Sequence, residues 1–483
     1  MIWANLLHIY QPPTQTESIL RTVSNESYRK ILKGLKENPN GKITLNINAS
    51  LSNLFVKYKY RDIIDDIKFL LDRGQIELTD SAAYHAFLPL LPKTEVIRQI
   101  NLNNTINKKI FGPSYNPKGF FPPELGVSKE VIKIISHLGY KWVLLDELAF
   151  PAKEGNIKYD KIYKIKDTNL IGYFREREIS FKILSAQLES GNIFLSEIKD
   201  RLDKNEYMLT AMDGETFGHH RLGLELLLFD IYKSNKLKTI PYGDIDNIFT
   251  ETKEVNIVPS TWALLPTELL KKQPYERWYN SENTINVLQW ELTRFAIEHV
   301  DGSKFKVKND PLLTNGDKNK LSNTDKQWLK ARYMLDKALH SDQYWWASAR
   351  PWWSIDMIER GAYELQESLL YLPGIDKKII DKAKNLYRDI VLESFRWQRE
   401  GIVDAMVEGF DEEATERIET KSLDSDPKEY DKVISHLEKQ MLEAASKLEF
   451  RRASEFRKRI ESLREKQKEI VEHIRLSDNK KHD

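Results

Sequence analysis

The chain has 483 residues, 41% of them hydrophobic, enough for more than one core at roughly 150 residues per domain. Its 74 Lys and Arg cancel 73 Asp and Glu to a formal +1, which excludes an overall polybasic nucleic-acid binder. Cysteine is absent, which excludes disulfide scaffolds, thiolate zinc sites, iron–sulfur clusters and cysteine nucleophiles.

The N-terminus is apolar but lacks a basic leader and a small-residue cleavage site. No apolar run approaches the ~20 residues of a membrane helix, so a cytoplasmic protein is expected. Residues 2–7 predict a strand that stops before Gln11-Pro12-Pro13, and residues 43–47 predict a second. Ile63, Ile64, Ile67, Leu70 and Leu71 recur at helical spacing over 61–73, with Gly74 as the stop. A strand at 75–78, a helix at 93–110 and a strand at 118–121 follow. Ser128 is a good N-cap for a helix over 129–138 that Gly139 ends. Further strands are expected at 141–145, 170–174, 207–212 and 255–258. Strands alternating with helices over some 260 residues argue for a parallel sheet with helices outside, and the span fits a closed or nearly closed β/α barrel. A doubly wound open sheet is the alternative, but no G-x-G-x-x-G follows a strand and there is no P-loop.

Past residue 280 strand signals fade. Amphipathic stretches at 281–300, 326–340, 353–371 and 377–399 predict a helical domain, with a polar loop at 301–325. The expected division is a barrel over 1–280, a helical domain over 281–410 completing the site, a linker at 411–429 and a helical hairpin at 430–475.

His8, Asn48, Glu77, Glu124, Asp146 and Asp213 each fall at or just beyond the C-terminal end of a predicted strand, where barrels carry their chemistry. Glu124, in Gly119-Phe-Phe-Pro-Pro-Glu124, and Asp213, in Asp213-Gly-Glu-Thr-Phe-Gly218-His-His220, stand beside aromatics and tight-turn residues. Two carboxylates across a pocket are the minimum apparatus for glycoside cleavage, and the proton donor needs an apolar wall to raise its pKa. The plain alternative for the two is a helix N-cap and a loop salt bridge. Asp146 either faces the pocket or caps the next helix. The pair His219-His220 invites a metal reading, but adjacent histidines point different ways, so one is expected in the pocket and no metal. Four of the 11 tryptophans fall in Tyr344-Trp345-Trp346…Trp352-Trp353, a candidate platform for pyranose faces mixed with packing residues.

In these motifs the chain resembles glycoside hydrolase family 57, the family of α-amylases, 4-α-glucanotransferases, branching enzymes and amylopullulanases. Five short regions occur in the family's order: His8-Ile-Tyr10-Gln11-Pro12, Gly74-Gln75-Ile76-Glu77, Phe120-Phe-Pro-Pro-Glu124, Asp213-Gly-Glu-Thr-Phe-Gly218 and Asp342-Gln-Tyr-Trp-Trp346. Tyr10 replaces the usual second histidine. Asp80 and Ser81 stand where many members have glycines, and Pro122-Pro123 precede Glu124 where Leu or Thr is common. The resemblance implies an incomplete barrel of seven β/α units followed by helices, and a retaining reaction without a cofactor. It implies Glu124 as nucleophile and Asp213 as acid/base, their carboxyls ~5–5.5 Å apart. It further implies substrate contacts from His8, Gln11, Glu77, His219, Asp342, Trp345 and Trp346, with a core role for His8 and a buried salt bridge for Glu77 as the alternatives. The substrate expected is an oligosaccharide or polysaccharide of α-linked glucose. A glycan-binding scaffold that recruits partners, or a hydrolase of another linkage, is the alternative. A metal-dependent deacetylase or mannosidase would need a ligand cluster such as H-x-x-x-H, which is missing.

The tail, with Tyr430, Ile434, Leu437, Met441, Ala444, Ala445, Leu448, Phe450, Ala453, Phe456 and Ile460 at helical spacing, resembles the UVR motif of excision-repair nuclease subunits. Physically it is two antiparallel helices in which alanines allow close approach. So small a hairpin needs something to cover its apolar faces, so self-association or a protein partner is expected, and nucleic acid is not.

Overall fold

The structure is a computed structural model that describes residues 1–234, 236–308, 310–314, 321–350, 352–415 and 428–479. Its N-terminal part is an incomplete β/α barrel. The strands are β1 (Ile2–Ile9), β2 (Ile43–Ile47), β3 (Ile76–Thr79), β4 (Gly119–Phe120), β5 (Trp142–Asp146), β6 (Ile162–Ile165), β7 (Ile171–Arg175), β8 (Tyr207–Asp213), β9 (Lys238–Thr239) and β10 (Thr252–Val255). One parallel arc runs β3-β2-β1-β8; the other includes β4, β5 and β7, also parallel. The arcs meet at two thin seams. At one, Asp80 bridges Phe120, with the Asp80 N–H donating to the Gly119 carbonyl at 2.9 Å. At the other, the Glu176 N–H reaches the Leu209 carbonyl at 2.7 Å, while β6 pairs antiparallel with the start of β7.

Period-two alternation sorts each strand's side chains between two cores. Ala4, Leu6, Trp142, Leu144, Tyr173, Tyr207, Leu209 and Ala211 fill the barrel interior together with Tyr242. Trp3, Leu7, Ile43, Leu45, Ile76 and Met208 face the helices instead. Trp142 lies flat on Gly119, where a Cβ would sit 2.0 Å from the indole, so only glycine fits. The same alternation carries polar inward positions to the strand ends: His8 pairs in register with Asn46 on one side and Asp213 on the other.

The expected strands and helices are present within a few residues, with three differences. β6, four residues long, and β9, two residues with Lys238 exposed, are too short to be read as strands. The strand expected at 255–258 lies at Thr252–Val255, where it pairs with β6 through mostly exposed residues that show no apolar run.

Helices Thr284–Asp301, Asn323–Ala338, Ile355–Leu370 and Lys377–Arg399 form the helical region, with Ser322 and Asp325 making a reciprocal capping box at the second. A further helix runs from Ile402 to Thr415, into the expected linker; residues 416–427 of that linker lie outside the described residues, as do 309 and 315–320 of the expected loop. A buried ionic knot ties this region to the barrel. Arg332 donates to both Glu95 oxygens, at 2.8 and 2.6 Å, and to Asp336 at 2.8 Å, while Arg98 donates to Asp336 and Asp310 at 2.7 Å.

Helices Lys428–Ser446 and Phe450–Asn479 form the C-terminal hairpin. One apolar face of the hairpin is covered within the chain, while Leu442, Leu448 and Phe450 stay exposed. Tyr430, Val433, Leu437, Phe456, Ile460, Leu463 and Ile470 are buried in one cluster with Leu224, Leu227, Leu228 and Ile231 of the same chain. Among the described residues no helix is long and apolar enough to cross a membrane.

Candidate active site

The C-terminal strand ends open into a cavity of 470 Å³. His8, Gln11, Glu124, Asp213, Asp342, Trp345 and Trp346 line it, all positions singled out from sequence; Tyr10, His85, Arg175, Glu215, His220, Trp262 and Trp352 complete the wall. Barrel and helical region thus share one pocket. Of the clustered tryptophans, Trp353 stacks on Trp397, 6.0 Å between centroids, inside the helical core and is a packing residue.

Glu124 sits in the turn after β4 with φ 60°, and Leu125 follows at φ 47°. Left-handed backbone at two successive non-glycine residues is strain that surrounding structure must hold, and such strain clusters at functional sites. Three contacts hold Glu124. Trp262 Nε1–H donates to Oε2 at 2.7 Å, Ser341 Oγ–H donates to Oε1 at 3.2 Å, and the Trp262 N–H takes the Glu124 carbonyl at 3.0 Å. Behind Ser341, His85 Nδ1 lies 2.8 Å from the Ser341 hydroxyl and 3.7 Å from Glu124 Oε1. Ser341 belongs to the helical region, and its N–H donates to the His85 carbonyl at 2.9 Å, beside an Ala86–His340 bridge. This small backbone clasp sets the donor over Glu124.

Burial pushes the Glu124 carboxyl up to about 8; Asp342 and Asp213 add to the rise, and the Trp262 and Ser341 donors oppose it. Burial and the Glu215 charge push Asp213 to about 7, with Arg175 pulling it back. Both carboxyls are raised well above the ordinary carboxylate range. Side-chain donors from Trp262 and Ser341 converge on Glu124 and favour its charged form, whereas among the described residues no hydrogen bond reaches the Asp213 carboxyl.

A pile of rings forms the floor. His8 stacks on Phe121 at 4.6 Å and on His85 at 5.0 Å, and Tyr10 covers His85 at 4.2 Å. Burial and the neighbouring His85 hold His8 well below its usual range. Asn46 donates its amide to Thr79 at 2.9 Å, so its oxygen, 2.6 Å from His8 Nδ1, takes a proton from the ring. His8 is then neutral with Nε2 as an acceptor. Tyr10 Oη–H donates to Asp342 Oδ2 at 2.8 Å. Burial alone would raise Asp342, but His340, His85 and Tyr10 outweigh it and hold the carboxyl low.

Two expected pocket residues lie elsewhere. Glu77 faces the barrel interior, where Gly243 N–H donates to it at 2.8 Å and Thr44 Oγ1 at 3.3 Å; it is absent from the cavity wall. Its inward position is one turn of pleat too deep to reach the mouth. His219 turns away to Glu26, 2.5 Å from Nδ1 to Oε2, and the adjacent His220 takes the wall position. Asp146 is a cap and an ion-pair partner rather than a pocket residue. It accepts from the Leu148 N–H at 3.0 Å and pairs with Arg175 and Arg177 at 3.1 and 2.6 Å. Sequence reading missed His85, Trp262 and Ser341. Trp262, seven residues past β10, had a signal in the run Ser260-Thr-Trp262 after a strand; His85 and Ser341 meet only through the tertiary clasp.

His85, Glu124 and Asp342 bring ligand-type atoms within 4.8 Å of one another. Each is already engaged, by Ser341, Trp262 and Tyr10, so the cluster is explained as a hydrogen-bond network.

Four tryptophans and two carboxyls thus share the cavity at the mouth of the β/α barrel. Residues 4–225 match the model of glycosyl hydrolase family 57 and residues 431–466 match the UvrB/uvrC motif, so the chain is similar to that family over its N-terminal region and carries a UVR motif. It is 28% identical over 216 residues to an α-amylase of Pyrococcus horikoshii, covering 44% of this chain and 33% of that protein. It is 24% identical over 321 residues to α-amylase 1 of Dictyoglomus thermophilum, covering 63% of this chain and 43% of that protein. The chain therefore spans a third to two-fifths of the length of these curated relatives. Among solved structures, a family 57 branching enzyme from Thermococcus kodakaraensis superposes with a TM-score of 0.61 at 15% identity, over 82% of this chain and 96% of that one. The 4-α-glucanotransferase of Thermococcus litoralis does so with a TM-score of 0.57 at 18% identity, over 78% and 61%. These likenesses establish the fold, an incomplete barrel followed by helices.

Proposed function

We propose that the protein is a retaining glycoside hydrolase or transglycosylase acting on α-linked glucans, with Glu124 as nucleophile and Asp213 as acid/base. The observation that carries this reading is that two carboxyls with unlike surroundings line one cavity: Trp262 and Ser341 donate to Glu124 and favour the charged form a nucleophile needs, while Asp213, with no donor among the described residues, is held up at about 7 by burial and the Glu215 charge, where it can carry a proton. Asp213 gives that proton to the glycosidic oxygen as Glu124 attacks the anomeric carbon, so the leaving alcohol departs neutral and a glycosyl ester forms. Asp213, now ionised, takes a proton from water or a sugar hydroxyl, which attacks the ester and restores the starting pair. Trp345, Trp346 and Trp352 offer faces for pyranose rings. His8, Gln11 and Asp342 on the wall supply an acceptor, an amide and a carboxylate for sugar hydroxyls. The names of the α-amylase, glucanotransferase and branching-enzyme relatives agree with an α-glucan as substrate.

Product analysis on maltoheptaose tests this. Shorter and longer oligosaccharides from wild type, lost in Glu124→Ala and Asp213→Ala, support a transglycosylase; short products alone support a hydrolase. Absence of turnover on α-glucans by folded wild type sinks the reading.

Ser341→Ala gives a second check. The Ser341 hydroxyl favours the Glu124 carboxylate, so its removal lifts the Glu124 pKa further. The acid limb of kcat/KM against pH is expected to move to higher pH, with the alkaline limb in place. An unmoved acid limb would mean that Glu124 is not the group titrating there.

A further inference from the structure

We propose that the C-terminal hairpin is a working part of the pocket: Arg452, acting through Glu26, is a positioning residue for the loop Gly214–His220 that follows Asp213. The proposal rests on the functional reading above only for its kinetic consequence.

The link is a single turn of π-helix, Ser24–Tyr28, in which the Arg29 N–H reaches back to the Ser24 carbonyl. Such turns occur mostly as insertions at functional sites. Three successive residues of this turn hold the loop. The Glu26 carboxylate takes His219 at 2.5 Å, Ser27 Oγ–H donates to the Gly214 carbonyl at 2.8 Å, and Tyr28 Oη–H donates to Glu215 Oε1. Gly218, at φ 100°, lies so close that a Cβ there would be 2.1 Å from the Glu26 carbonyl oxygen. The loop therefore has no freedom to move unless the turn moves. Its last residue, His220, is on the cavity wall.

The other Glu26 oxygen faces the hairpin: Arg452 Nε lies 3.2 Å from Oε1, an ion pair without hydrogen-bond geometry. The hairpin also grips the far end of the same loop. Leu437 packs on Gly223, where a Cβ would be 3.0 Å from its methyl, and His436 and Gln440 approach Glu225 at 3.3 and 3.2 Å. Arg459 and Lys466 meet Glu189, and Lys432 meets Asp230. A cationic hairpin thus seats on a row of carboxylates that flank the pocket loop, two of which, Glu189 and Glu225, are almost fully buried. Lifting the hairpin would strip the buried Glu189 of Arg459 and Lys466, whereas Glu225 keeps Lys30 at 2.6 Å, so the Glu189 pairing makes the seating specific.

The test uses the full chain with Arg452→Ala, Glu26→Gln and Arg452→Lys, and with Arg464→Ala as a control that breaks only the pair with Glu438 inside the hairpin. Hydrogen exchange over 213–225 is expected to quicken by about tenfold in the first two, recover partly in Arg452→Lys and stay unchanged in Arg464→Ala. KM for maltoheptaose is expected to rise about fivefold in Arg452→Ala with kcat within about twofold, because the loop shapes the wall and leaves Glu124 in place. Unchanged exchange over 213–225 in a folded Arg452→Ala, or loosening confined to the hairpin, overturns the proposal. Should wild type not act on α-glucans, the exchange data still decide the coupling, and only the functional reading falls.

Discussion

Glu124→Gln is expected to cut turnover by at least about 10³-fold and, at pH 8, to raise the thermal unfolding midpoint by a few degrees. The first effect follows from the nucleophile role proposed for Glu124. The second follows from linkage. The carboxyl titrates at an ordinary 4.5 in the unfolded chain and at about 8 in the folded one, chiefly through burial. A raised carboxyl makes the folded state hold a proton that the unfolded state releases, so stability falls as pH climbs from 4.5 to 8 and the loss is complete above that. An amide carries no such penalty. Asp213→Asn, whose carboxyl is raised to about 7, is expected to behave the same way on both counts. Thermal scans at pH 5 and pH 8 separate the outcomes: the gain belongs to pH 8 and nearly vanishes at pH 5. A destabilised Glu124→Gln at pH 8 would refute the burial argument, even if activity were lost.

Arg332→Ala is expected to destabilise the chain by about 3–5 kcal/mol, measured by urea unfolding. The guanidinium is 1% exposed and neutralises Glu95 and Asp336, which are buried with it. Taking it away strands one carboxylate on the barrel helix Lys93–Phe111 and leaves Asp336 to Arg98 alone. The pair Arg332→Met with Glu95→Gln removes both charges and is expected to recover part of the loss. A single variant within about 1 kcal/mol of wild type would show that water reaches the knot. Because the knot joins barrel to helical region, loss of activity is expected to accompany the loss of stability.

Much of this architecture was legible because the barrel speaks in local signals. β2 alternates Ile43, Leu45 and Ile47 with Thr44 and Asn46, and Ser128 and Gly139 bracket their helix. Asp213 and Glu124 stood out because a carboxylate at a strand end, beside Phe and Gly or Pro, is a local pattern. What escaped depends on contacts distant in the chain. Ser341 reaches Glu124 across 217 positions, and nothing near Ser341 marks it as a donor. Glu77 and His219 were misplaced for a shared reason: a motif fixes the residue type but not which way the pleat or turn aims it. The aim is decided by Gly243 in one case and Glu26 in the other. The hairpin was recognised by its pattern, whereas its seat was hidden, since the apolar stripe of Leu224, Leu227 and Ile231 reads equally well as an ordinary core helix face.

The clasp between His85 and Ser341 has a consequence for the order in which a ribosome delivers this molecule. A chain of some 300 residues already contains both carboxyls, but it lacks the serine that anchors one of them and three of the four indoles that wall the cavity. The left-handed turn at Glu124 then has lost one of its two side-chain donors, and the mouth of the barrel stands open to water. The cavity wall is complete only when Ser341, Trp345, Trp346 and Trp352 have emerged, and Glu26 meets Arg452 later still. The site is therefore completed by segments made well after the strands that carry its carboxyls.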